Sequence, residues 1–117
     1  RDLNKNNRKR VKIAQIYKKN ITNNKIDILN YKKGCVYHQF IILSKIKKKI
    51  IKTFEKEKIQ FGQHYPISIN KLKIFSKYRN QLFKNSEYLS KFGLSLPIDP
   101  NLKLSEILKI CQILNKL

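Results

Sequence analysis

The run Cys35-Val36-Tyr37-His38-Gln39-Phe40-Ile41-Ile42-Leu43 constrains the fold more than any other stretch of the sequence. It is dense in β-branched and aromatic residues, which fit a pleated, half-buried surface, and it is the strongest strand signal in the chain. A strand needs neighbours to pair with, and few are on offer. Leu94-Ser95-Leu96-Pro97 reads as a short second strand whose alternation puts Leu94 and Leu96 on one face. Ile59 to Pro66 reads as a short extended segment closed by its proline. The sheet must therefore be small.

Helices should cover it. Residues 2–21 contain neither Pro nor Gly and place Leu3, Ile13, Ala14, Ile16, Tyr17 and Ile21 at apolar positions. The clusters Asn23-Asn24-Lys25 and Lys32-Lys33-Gly34 punctuate a loop. Ser44 can cap a helix reaching about Glu57, with Ile46, Ile50, Ile51 and Phe54 turned inward and the lysines on the wet face. Short helices are expected from Asn70 through Tyr78 and from about Ser86 to Phe92, the latter stopped by Gly93. The last helix, about Ser105 to Lys116, should bury Ile107, Leu108, Cys111 and Leu114. Strand, helix, strand, helices, strand, helix makes a two-layer α/β (α+β) unit.

With 117 residues this is one domain's worth of chain with a modest core. No uninterrupted apolar run approaches the roughly 20 residues of a membrane span. The opening Arg1-Asp2-Leu3-Asn4-Lys5 lacks the apolar stretch of a signal peptide, and there is no Met anywhere, so the chain reads as a piece of a longer cytoplasmic protein.

Twenty-seven Lys and Arg against seven Asp and Glu give a net charge of +20, which invites a nucleic-acid reading. Arg, the residue whose fork suits phosphate and guanine, occurs only four times, whereas Lys occurs 23 times, Ile 18 and Asn 12. That bias follows the A- and T-rich codons of a drifting genome, and the lysines spread over solvated faces instead of forming one block. Both features weigh against nucleic acid as a partner. Cys35 and Cys111 have no metal-ligand spacing and read as small buried hydrophobes in a reducing compartment.

The order of motifs is more specific than any one of them. Arg10-Val11-Lys12-Ile13-Ala14-Gln15-Ile16-Tyr17 opens the chain; Val36 to Ile42, a basic amphipathic helix, His64-Tyr65-Pro66, Glu87, Leu94 to Pro97, and Pro100 with Leu102 follow in turn. This order resembles the C-terminal region of the DegT/DnrJ/StrS family of sugar aminotransferases over nearly the whole chain. The resemblance implies the small C-terminal domain of a fold-type-I pyridoxal-phosphate enzyme, with a short, mostly antiparallel sheet covered by helices. Residues 1–22 would be the helix joining it to a large domain, and residues 23–117 the small domain itself. It also implies transfer of an amino group, usually from glutamate, onto a nucleotide-linked keto-sugar, in a protein that works as a homodimer and serves surface-polysaccharide or related sugar biosynthesis. The family's Schiff-base lysine and main cofactor-binding residues fall upstream of this region, so the chain alone should be inactive, with no catalytic residue of its own.

The resemblance carries substrate contact onto His64 and Tyr65, which match the family's His-Tyr-Pro segment, and onto Asn70, which stands where many members have a further His. Each has a plainer alternative: backbone satisfaction for His64, packing for Tyr65, and a helix cap for Asn70. His38, alternating with Val36 and Phe40, reads as a core or edge histidine. Glu87 matches a family position and could equally hold a helix N-terminus. Lys103 stands where a capping Ser or Thr is common, so the last helix could begin at Ser105. Two other functions stay open on the residues alone: a stand-alone small basic nucleic-acid-binding module, or an inactive truncated product. A steep loss of affinity with salt would mark the former, and cofactor absorbance in a longer protein would mark the enzyme.

Overall fold

In the computed structural model, which describes residues 2–117, a three-stranded antiparallel sheet packs against helices. The elements are α1 (Leu3–Asn20), β1 (Asp27–Ile28), β2 (Phe40–Leu43), α2 (Lys47–Lys56), two 3-10 turns (Ile69–Lys71 and Lys73–Tyr78), α3 (Lys84–Phe92), β3 (Gly93–Leu96) and α4 (Leu104–Asn115). The sheet order is β1-β2-β3, with Phe40 opposite Leu96 and Ile42 opposite Leu94. Gly62 adds a bridge to the free edge of β3 by pairing with Ser95. The expected α/β class, a small sheet under helices, is therefore what the chain adopts.

One core unites the elements. Ile13, Ala14 and Tyr17 of α1, Phe40 and Ile42 of β2, Ile50 and Phe54 of α2, Leu94 and Leu96 of β3, and Ile107, Ile110, Cys111 and Leu114 of α4 are all buried together. Tyr17 adds a polar tie, donating its hydroxyl to the Pro97 carbonyl at 2.9 Å. The ends of α1 and α4 are tied as well. The Asn115 side chain accepts from the Thr22 and Asn23 amides at 2.9 and 3.3 Å and donates to the Asn20 carbonyl at 2.8 Å. Asn23 returns a bond to the Leu114 carbonyl at 2.8 Å.

The structure corrects the sequence reading in several places. The strong strand is half its expected length: only Phe40–Leu43 is paired, because Tyr37 sits at φ 52° and turns the backbone out of the sheet. Tyr31 completes the ragged end, accepting from the Ile41 amide at 2.6 Å and donating to the Gln39 carbonyl at 3.0 Å. Cys35 is consequently half-buried, while Cys111 is buried; both are free thiols. A two-residue edge strand, Asp27–Ile28, lies where only loop was expected. Asn70 to Tyr78 is not one helix but two 3-10 turns.

Gly93 does not cap α3 in a left-handed conformation. It is extended (φ −73°, ψ 137°) and opens β3 directly. The chain turns so tightly there that a Cβ on Gly93 would lie 2.5 Å from the Leu89 carbonyl oxygen. At α4 the helix begins at Leu104, not Ser105, because the Glu106 carboxylate reaches back to accept the Lys103 amide at 2.7 Å and so replaces the missing Ser or Thr cap. Leu108, expected inside, is only half-buried, and Ile110 takes its place in the core.

Candidate functional site

Four stretches remote in sequence line one open cleft of about 420 Å³: Arg10 from α1, His38 and Gln39 leading into β2, Gln60 to Gly62 with His64, and Ser95 to Pro100. That volume lies within the range of small-molecule sites, about 300–1,000 Å³. The backbone explains how they meet. Gly62 donates to the Ser95 carbonyl at 3.0 Å and accepts from the Ser95 amide at 2.8 Å, so the extended segment is locked to the edge of β3. His64 then folds back over this pair: its Nε2 lies 2.6 Å from where a Cβ on Gly62 would stand, so a side chain at residue 62 would have to displace the imidazole.

His38 is exposed in a bend outside the strand and lines this cleft; it is not the core or edge histidine that alternation with Phe40 predicts. The paired strand begins only at Phe40, with residues 38 and 39 in the bend that follows the turn at Tyr37, so the alternation does not extend back to residue 38. Arg10 is half-buried and donates from Nη1 to Asn7 Oδ1 at 3.2 Å. Asp99 is the one acidic residue on the cleft wall among the described residues, and its Oδ1 accepts from the Asn101 amide at 2.7 Å. Ser95 is 5% exposed and its hydroxyl has no hydrogen-bond partner among the described residues.

Of the three residues singled out from the sequence, only His64 lies in this cleft. Tyr65 is 71% exposed at φ 56°, outside the cleft wall. Asn70 is buried and lines a second, apolar cavity of about 330 Å³ with Ile69, Phe75, Tyr78 and Phe83. Its amide donates to the Gln81 carbonyl at 3.2 Å and to Glu87 Oε1 at 3.4 Å, and Lys71 stands 3.6 Å from the same oxygen. Glu87 thus fastens the 3-10 segment to α3. Sequence reasoning missed Arg10, His38 and Ser95 as neighbours of His64. The only available signal was that all four fall inside the motifs that carry the family resemblance.

No helix among the described residues is long and apolar enough to cross a membrane. No group of three or more His, Cys, Asp or Glu among them could hold a metal ion.

Residues 1–115 match the model of the DegT/DnrJ/EryC1/StrS aminotransferase family, and the chain belongs to that family. It is 28% identical over 116 residues to the dTDP-3-amino-3,6-dideoxy-alpha-D-galactopyranose transaminase of Aneurinibacillus thermoaerophilus, covering 97% of this chain and 32% of that protein. Its fold superimposes on DesV of S. venezuelae, solved in complex with a ketimine intermediate, with a TM-score of 0.91 at 18% identity over 98% of this chain and 32% of that one. Helicobacter pylori PseC, an aminotransferase involved in the biosynthesis of pseudoaminic acid, gives a TM-score of 0.85 at 23% identity over 98% of this chain and 33% of its own. The chain therefore spans about a third of the length of these relatives.

Proposed function

We propose that this chain is the C-terminal small domain of a pyridoxal-phosphate sugar aminotransferase, in which it helps close the pocket for a nucleotide-linked keto-sugar while glutamate serves as amino donor. The observation that carries this reading is the meeting of three family stretches at one surface: Arg10 of the first helix, His64 of the His-Tyr-Pro segment and Ser95 of Leu-Ser-Leu-Pro. His64, held over Gly62, contacts substrate in this reading. Tyr65 is exposed and free to contact it, and Asn70 acts indirectly by pinning the 3-10 segment to Glu87.

The cleft itself is not the seat of the cofactor. Pyridoxal phosphate supplies the electron sink of transamination and needs a lysine amine to hold it; among the described residues no lysine lines the cleft. Lys47, whose pKa burial lowers, spends its ammonium on the Ser90 carbonyl at 3.2 Å. In this reading the cofactor, its lysine and the large domain belong to polypeptide preceding residue 1. The segment of residues 1–22, which carries α1, joins that domain to residues 23–117 in this reading, the whole works as a cytoplasmic homodimer, and this chain alone does not transaminate.

The test is made on the protein as its cell produces it. Its intact mass should be about three times the 14.0 kDa of this chain, as the 32% coverage implies. It should carry cofactor absorbance and form 2-oxoglutarate from glutamate when a nucleotide-linked keto-sugar is added. A 14 kDa product without cofactor absorbance would remove the enzyme reading and leave a binding module or an inactive product.

A further inference from the structure

We propose that Tyr17 and Tyr31, neither of which lines the cleft, are positioning residues for the amino-accepting half of the reaction, a role that rests on the aminotransferase reading. Each bonds through its phenol to the backbone of one wall. Together they set the spacing of the two walls that a nucleotide-linked sugar meets.

The walls begin where the sheet stops. The ladder between β2 and β3 ends with Phe40 opposite Leu96, and the next residues outward, Gln39 and Pro97, already line the cleft. Each of their carbonyls accepts a phenol: Pro97 that of Tyr17 at 2.9 Å, Gln39 that of Tyr31 at 3.0 Å. Tyr31 also accepts the Ile41 amide at 2.6 Å. The register of β1 on β2, carried on from Ile28 opposite Ile42, would set residue 31 opposite Gln39. The Tyr31 side chain thus makes the bonds that the backbone of a longer β1 would make. Phe40 joins the two supports, its buried ring lying 5.1 Å from that of Tyr17 and 6.0 Å from that of Tyr31, centroid to centroid.

Tyr17 also ties its wall to Arg10. The two residues share one face of α1, two turns apart, so the bond to Pro97 fixes how far the Ser95 to Pro100 wall stands from the guanidinium. Burial raises both phenols above their usual value of 10.0, and each stays a protonated donor at neutral pH. Removing one phenol oxygen leaves the rings packed and frees one wall, without altering any side chain that lines the cleft. A freed wall must be ordered again at every binding event, which weakens binding of the sugar but does not slow a sugar already in place.

The experiment is kinetics on the full-length protein, with glutamate as donor and a set of dTDP- and UDP-linked 3-keto- and 4-keto-6-deoxyhexoses as acceptors. Loss of cofactor absorbance with glutamate reads the half-reaction that does not involve the sugar, and its return reads the half that does. Tyr17→Phe and Tyr31→Phe should each raise KM for the sugar about fivefold, the worth of one net hydrogen bond, with kcat and the glutamate half-reaction unchanged to within about twofold. Ile50→Val is a core truncation of comparable cost in stability on α2, which gives the cleft no residue among those described; it should change neither half. Amide exchange at Asn101 and Leu102, bonded to Asp99 at 2.7 and 3.1 Å, should quicken more in Tyr17→Phe than in Ile50→Val. An unchanged sugar KM in either tyrosine variant overturns the role of that tyrosine. A rise shared by Ile50→Val, an equal loss in both half-reactions, or exchange that quickens alike in Tyr17→Phe and Ile50→Val overturns the proposal while the aminotransferase reading stands. An unaltered protein that fails either half-reaction refutes the aminotransferase reading, and this role with it.

Discussion

Removing the Ser95 hydroxyl should make the folded domain more stable. The residue is 5% exposed and its Oγ has no partner among the described residues, so folding strips the group of water and gives nothing back. An unsatisfied buried hydroxyl costs about 1–3 kcal/mol. Ser95→Ala keeps every backbone bond around it, including the 2.8 and 3.0 Å pair with Gly62. Against the gain stand the contacts of one deleted atom and the weaker strand preference of alanine, together about 0.5–1 kcal/mol. The net expectation is a stabilisation of about 1 kcal/mol, or about 4 °C in Tm for a domain of this size. Hydrogen exchange at the Gly62 and Ser95 amides, read by mass spectrometry, should slow about fivefold wherever exchange needs the sheet to open. A Ser95→Ala protein of equal or lower stability would show that the hydroxyl has a partner in solution, and the argument from an orphan group would fail.

Gly93→Ala should destabilise by about 2 kcal/mol, since its Cβ would meet the Leu89 carbonyl at 2.5 Å and neither backbone can yield cheaply; urea denaturation giving an unchanged midpoint would refute the close approach. Tyr17→Phe should cost about 1 kcal/mol by leaving the Pro97 carbonyl without its 2.9 Å donor. Burial raises the Tyr17 phenol well above its usual value of 10.0, so the stability tied to the neutral phenol is complete below pH 10 and lost as pH climbs beyond it; the Phe variant should have a flatter alkaline limb in thermal melts. Alkylation at pH 8 should label half-buried Cys35 and spare Cys111, whose thiol burial pushes up to about 11. The contribution of the neutral Cys111 thiol is whole below about pH 9 and lost toward pH 11, so peptide mapping should find Cys111 modified only in that window.

The parts of the fold legible in the sequence are those where one face is dry and the other wet. Ile50 and Phe54 on α2, Leu94 and Leu96 on β3, and Ile107, Cys111 and Leu114 on α4 all emerge from period alone. The failures share a different cause. Cys35 to Gln39 has the composition of a strand, yet the positive φ of Tyr37, held by its contacts with Tyr31 and Lys18, overrides propensity. β1 is two residues long and exists only because β2 offers it an edge. The 3-10 turns lie on a segment with Ile67, Ile69, Ile74 and Leu82 more than half exposed, so no inward stripe is available to reveal its period. The site was legible only in part, because His64 announces itself by its motif while Ser95 becomes unusual only once its surroundings are known. An unpaired hydroxyl is a property of three dimensions.

The joining of α1 to α4 has a consequence for how the protein is made. Ile13, Ala14 and Tyr17 are laid down near the start of this stretch, but the surface that covers them comes from Ile107 to Leu114, some ninety residues later in translation. Until α4 leaves the ribosome, α1 presents an uncovered apolar stripe and the Asn20 carbonyl waits for Asn115. A message with a stop codon anywhere before residue 104 would therefore yield a domain without a closed core, a substrate for chaperones and proteases, however much of the polypeptide before it were intact.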